Sequence, residues 1–131
     1  SKAVFTVDLR NPDKAKLDQD EITLANYLKE LEQTDGVKIT TRRMTCFDPV
    51  PFDKEICNTI EAAAKKRGLT VKRMTSGAGQ DAQMMARICP TAMIFVPSIN
   101  GISHNPKEYT PDQDVENGAN VFLDVIEQYT K

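Results

Sequence analysis

Between Pro90 and Pro97 the chain runs Thr-Ala-Met-Ile-Phe-Val, six residues without a charge. A run this short and this apolar reads as a strand buried on both faces, as in a mostly parallel sheet with helices on its two sides. The rest of the sequence supplies the alternating partners that such a sheet needs. Residues 3–9 alternate, with Phe5, Val7 and Leu9 opposite Val4, Thr6 and Asp8, which predicts a strand with one fully apolar side. Asn11-Pro12-Asp13 supplies turn and N-cap chemistry. Leu17, Leu24, Tyr27 or Leu28, and Leu31 then recur at helical spacing until Asp35-Gly36. Alternation returns over 37–45, so the first 45 residues read strand, helix, strand.

Phe47-Asp48-Pro49-Val50-Pro51-Phe52 forbids helix and separates two stretches of different character, which makes it the candidate hinge. Asp53 caps a helix to Arg67 with Ile56, Ile60 and Ala63 or Ala64 inward, and Gly68 stops it. A short strand over 69–73 follows. The small-residue loop 75–81 then opens a helix through Ile88, ended by Pro90. After a loop over 97–109, Thr110-Pro111-Asp112-Gln113 has the layout of a capping box with Thr110 as N-cap. The final helix presents Val115, Ala119, Phe122, Val125 or Ile126, and Tyr129. The class predicted is α/β.

With 131 residues, 40% of them apolar, the chain can bury one core. Seventeen basic against nineteen acidic residues leave a net charge of -2, which gives no electrostatic reason to expect nucleic acid or an anionic membrane as partner. The longest apolar stretch falls far short of the roughly 20 residues a bilayer span needs. The N-terminus lacks a signal-peptide layout, and Cys46, Cys57 and Cys89 are odd in number and widely spaced. These features predict a cytoplasmic location.

Two loops lie where α/β proteins place ligands, beyond the carboxyl ends of strands. In Ser76-Gly77-Ala78-Gly79-Gln80-Asp81 the glycines let a ligand approach the backbone, and the following helix offers N–H groups to an anion or a polarised carbonyl. A plain strand-to-helix turn explains the loop equally well. A dinucleotide fingerprint does not hold, because the acid expected about 20 residues on is replaced by Asn100 and Gly101. The second loop carries the only histidine, His104, which reads as a metal ligand, a general base or an ordinary hydrogen-bonded surface residue. Glu108 downstream is a carboxylate able to orient the ring. A zinc site of three cysteines and His104 is set aside, since no Cys-x-x-Cys pair exists and Cys57 sits mid-helix. Cys57 and Cys89 read as core fillers. Arg10, at the end of the first strand, either grips a substrate carboxylate with two hydrogen bonds or forms a surface salt bridge.

Taken together, Ser76-Gly77-Ala78-Gly79-x-Asp81-Ala82-Gln83, Cys89 through Ser98, and Gly101-Ile102-Ser103-His104-Asn105-Pro106-x-Glu108 closely resemble the C-terminal third of the hydantoinase/carbamoylase-type amidohydrolases of the M20 peptidase clan. Phe5-Thr6-Val7-Asp8-Leu9-Arg10 resembles the strand of that family's inserted lid, or dimerisation, domain. The resemblance implies that residues 1–46 are the second half of the lid domain, strand-helix-strand. Residues 47–131 would be the C-terminal segment of a mostly parallel-sheet catalytic domain, in a protein some three times longer.

The resemblance further implies that His104 ligates a divalent metal pair (Zn, Mn, Co or Ni). Arg10 binds the substrate carboxylate, Gly79 and Gln80 face the substrate, and Glu108 stands behind the metal ligand. The implied activity is hydrolysis of the C–N bond of N-carbamoyl amino acids or related ureido compounds, in a homodimer formed through the lid. The catalytic Glu and the other ligands would lie outside this chain, leaving it inactive in isolation. The family loop commonly has His where Gln80 stands, and Gln can hold a carbonyl oxygen but cannot become cationic. From a different class, the chain could be a non-catalytic α/β association domain that completes a site with another chain. A weaker third option is a small nucleotide-binding module.

Overall fold

The computed structural model describes residues 1–130. They form α1 (Lys14–Thr34), α2 (Lys54–Lys66), α3 (Asp81–Met85), a 3-10 turn over Ile99–Gly101, and α4 (Asp112–Tyr129). The chain divides into two compact units, Ser1–Val50 with Thr75–Ala78, and Pro51–Met74 with the chain from Gly79 onward.

In the first unit, Asp13 starts α1 by accepting the N–H groups of Ala15 and Lys16, two of the donors a helix start leaves unsatisfied. Leu17 is buried, and Leu24, Leu28 and Leu31 are half-buried on the same apolar stripe. The chain then returns along α1 in the opposite direction, held by polar links. The Ile39 N–H donates to Glu32 at 2.8 Å, Arg43 pairs with Glu21 at 2.6 Å, and Lys14 lies 3.6 Å from Asp48. The ion pairs among these are exposed and contribute direction more than stability.

In the second unit α2 packs on α4. Ala63 and Ala64 of α2 meet Val121 and Val125 of α4, with Ile60, Leu69 and Ile94 around them. The small alanines let the two helices approach closely. Asp53 caps α2 through the Ile56 N–H at 2.8 Å, and Gly68, at φ 73, ends it where a side chain would be strained. Arg67 at that end reaches Asp124 of α4 with two hydrogen bonds, 2.6 and 2.7 Å, which hold the Asp124 carboxyl below the usual carboxylate range.

Gly118 of α4 faces Val96 of the 91–96 segment. A Cβ there would fall on the Val96 side chain, whose branched Cβ leaves it little freedom to swing aside. Gly118→Leu is therefore expected to destabilise this unit by about 2–3 kcal/mol, read as a lower urea midpoint in far-ultraviolet circular dichroism. An unchanged midpoint would show that α4 does not rest on Val96.

The sequence-based expectation of strands at 3–9, 37–45, 69–73 and 91–96 is not met among the described residues, none of which is in a β-strand. Helices close their hydrogen bonds locally, whereas a strand exists only through a neighbour. Val4 and Phe5 are 85% and 76% exposed, so the alternating pattern of 3–9 has no sheet to face. Residues 91–94 are half-buried and Phe95 and Val96 exposed, rather than covered on both sides.

The buried stripe of α4 is also narrower than its spacing implied. Val121 and Val125 are buried, while Val115 and Phe122 instead line an open apolar cleft of about 390 Å³ with Ile56, Ile60 and Ile94. The Thr110 cap is not used. Pro111, with ψ 144, is the N-cap and makes no side-chain cap bond, so α4 begins one residue later than the capping-box reading, with Asp112 and Asp114 in its first turn.

Candidate functional site

The loop after the 91–96 segment is closed at its base by main-chain and hydroxyl hydrogen bonds. The Ile99 N–H donates to the Tyr109 carbonyl at 2.9 Å, and the Ser98 hydroxyl donates to the Ile102 carbonyl at 2.6 Å. Within it, Asn100 and His104 both take left-handed backbone, φ 58 and 55. Asparagine and histidine are among the side-chain-bearing residues that adopt this region most readily. His104 is exposed, and among the described residues its only hydrogen bond is made by its main-chain N–H, to the Glu108 carboxylate at 2.9 Å. Among the described residues neither imidazole nitrogen has a partner. The downstream carboxylate thus touches the histidine backbone and not, as the sequence suggested, the ring.

An open imidazole fits one ligand position of a divalent cation. Among the described residues no cluster of three or more His, Cys, Asp or Glu could hold an ion. The side chains present therefore suit a metal as contributors of one ligand. The three cysteines are free. Cys89 is exposed, near the Met85 carbonyl and the Thr91 hydroxyl, so it is not the core filler its sequence position suggested.

Arg10 is joined to the glycine loop within the first unit. Its Nε and Nη2 hold the Asp8 carboxylate at 2.7–3.1 Å, and its Nη1 donates to the Gly77 carbonyl. The surface salt-bridge reading of Arg10 is what this geometry contains, with the loop carbonyl added. These hydrogen bonds pull the Asp8 carboxyl below its ordinary range and hold Arg10 more firmly charged. A Cβ at Gly77 or Gly79 would meet open space, so the glycines leave room above the backbone rather than relieve packing. In the second unit, Gln80 is half-buried at the N-cap of α3 and makes no side-chain cap bond.

The link from Arg10 to Gly77, 67 residues apart, has no local sequence signal. Nor does the carbonyl of Tyr109 that closes the histidine loop.

The family model of peptidase family M20/M25/M40 matches residues 2–128. The chain belongs to this family. It is 37% identical over 125 residues to an N-carbamoyl-L-amino-acid amidohydrolase of Rhizobium meliloti, covering 95% of this chain and 30% of the relative. It is also 37% identical over 127 residues to an allantoate amidohydrolase of Escherichia coli (strain K12), covering 97% of this chain and 31% of the relative. Among solved structures, a hydantoinase/carbamoylase family amidase from Burkholderia vietnamiensis superposes with a TM-score of 0.79 at 34% identity, over 88% of this chain and 28% of that one. The M20 chain thus spans about 30% of the length of the curated relatives it matches, and those relatives are hydrolases of C–N bonds. No helix among its described residues is long and apolar enough to cross a membrane.

Proposed function

We propose that this chain is one part of a metal-dependent amidohydrolase that hydrolyses the C–N bond of N-carbamoyl amino acids or related ureido compounds. The observation that carries the reading is His104. It is the single imidazole of a chain that aligns along 95% of its length with an N-carbamoyl-L-amino-acid amidohydrolase, and it stands exposed with both nitrogens open. On this reading residues 1–46 are the second half of the lid and dimerisation domain. Residues 47–131 are the C-terminal segment of the catalytic domain, and the extended segments join a mostly parallel sheet completed by other polypeptide. The open apolar cleft between α2 and α4 fits a surface meant to be covered. Homodimerisation through the lid and a cytoplasmic location, consistent with three free cysteines, belong to the same proposal.

In the mechanism, divalent ions supply Lewis-acid polarisation of the scissile carbonyl when bound. His104 gives one nitrogen lone pair toward holding them. Arg10 takes the substrate carboxylate on its planar fork, and Asp8, which occupies that fork here, must yield as the substrate arrives. Gly79 leaves the backbone approachable, and the Gln80 amide donates to a substrate oxygen without gaining charge. The general base and the remaining ligands come from outside this chain.

The test exchanges this chain for the matched segment of the Rhizobium meliloti enzyme. Hydrolysis of N-carbamoyl amino acids and of allantoate is then compared with that of the chain alone. Turnover by the exchanged enzyme and none by the chain alone is expected. A folded, metal-loaded exchanged enzyme inactive on both substrate types would contradict the reading.

A further inference from the structure

The segment from His104 to Glu108 is wired more tightly than an exposed turn requires. The Glu108 carboxylate accepts the His104 main-chain N–H at 2.9 Å, and the Glu108 N–H donates back to the Asn105 carbonyl at 2.9 Å. The Lys107 N–H also donates to the Asn105 side-chain oxygen at 3.0 Å. Glu108 therefore grips the loop from both ends of its own residue while leaving the imidazole untouched. At φ 55, His104 sits in a backbone region that L side chains rarely keep unless their surroundings fix it. Asn100 and Gly101, at φ 58 and 66, bend the loop before it, but their nearby hydrogen bonds tie residues 98–102 and 109 and do not reach His104. Among the described residues the bond to Glu108 is the one polar contact that does.

We propose that Glu108 is a positioning residue that sets the direction of the His104 imidazole by holding the main chain of His104 left-handed, through its N–H rather than through its ring. This rests on the reading of His104 as a ligand. It differs from the usual arrangement behind a ligating histidine, in which a carboxylate or carbonyl accepts from the second ring nitrogen. Here both ring nitrogens stay open, and direction comes from the backbone. A carboxylate suits this task because a charged acceptor strengthens the bond to the amide, yet any side chain of the same length with a carbonyl oxygen should serve in part.

With a single histidine, its signals in nuclear magnetic resonance are unambiguous. The chain and its Glu108→Gln and Glu108→Ala variants are compared by the amide-to-Hα cross-peak within His104, which is strong for left-handed backbone, and by the amide proton shift. Glu108→Ala is expected to lose the cross-peak several-fold and move the amide upfield. Glu108→Gln should retain most of both, with helix content equal in all three. An unchanged cross-peak and amide shift in Glu108→Ala would overturn the proposal, as would equal loss in Glu108→Gln.

Zinc binding to the segment-exchanged enzyme, where the remaining ligands are present, separates the two readings. If its His104→Ala form keeps both zinc ions while the cross-peak of the chain still depends on Glu108, the ligand assignment falls and the backbone role stands. Equal zinc content and affinity in the exchanged enzyme with Glu108, Glu108→Gln and Glu108→Ala, despite a lost cross-peak, would overturn the positioning role.

Discussion

In the segment-exchanged enzyme, His104→Ala is expected to lower kcat/KM for an N-carbamoyl amino acid by about a thousandfold or more, since even residues standing behind a metal ligand are worth roughly 10–100-fold. The loss should fall on kcat, because the ligand acts where charge develops rather than in holding the substrate. His104→Gln, which keeps size and polarity but offers no imidazole lone pair, should fare no better. Activity within tenfold of the parent in either variant would remove His104 from the metal site.

Arg10 is expected to give the opposite kinetic signature. On the proposed role of Arg10 as the carboxylate clamp, Arg10→Ala would remove two charge-assisted hydrogen bonds to the substrate and should raise KM by about ten- to a hundredfold with a smaller change in kcat. Arg10→Lys keeps the charge but loses the planar fork, so it should recover only part of the loss. The decisive comparison uses a substrate whose carboxylate is replaced by a neutral amide. Parent and variant should then become alike. If Arg10→Ala is equally impaired with both substrates, the residue serves only its bond to Gly77 and its pair with Asp8.

Asp13 and Asp53 were legible as N-caps and Gly68 as a stop, because those signals are local and the structure uses each of them. The capping-box reading of Thr110 missed by one residue, since the extended backbone of Pro111 postponed the helix. The α/β alternation was read from side-chain period, yet the described residues contain helices and no strands. A period of two states which face a strand would bury and is silent on whether a neighbour is there to pair with it.

The site was legible as residue types and not as contacts. His104, Arg10 and the Gly77 to Gln80 loop stood out by composition and position. The link from Arg10 to Gly77 did not, because it depends on where segments 67 residues apart meet, and the left-handed backbone of His104 and its bond to Glu108 did not, because residue types alone leave open whether a carboxylate four residues on takes the ring or the main chain.

The central claim is that His104 supplies one ligand to a metal pair whose other ligands reside on different polypeptide. Metal analysis of purified protein, after exhaustive dialysis against metal-free buffer, tests it most directly. Two tightly held ions are expected per molecule of the segment-exchanged enzyme, fewer in its His104→Ala form, and none in the chain alone. Two ions retained by the isolated chain, or two retained by the His104→Ala enzyme, would contradict it.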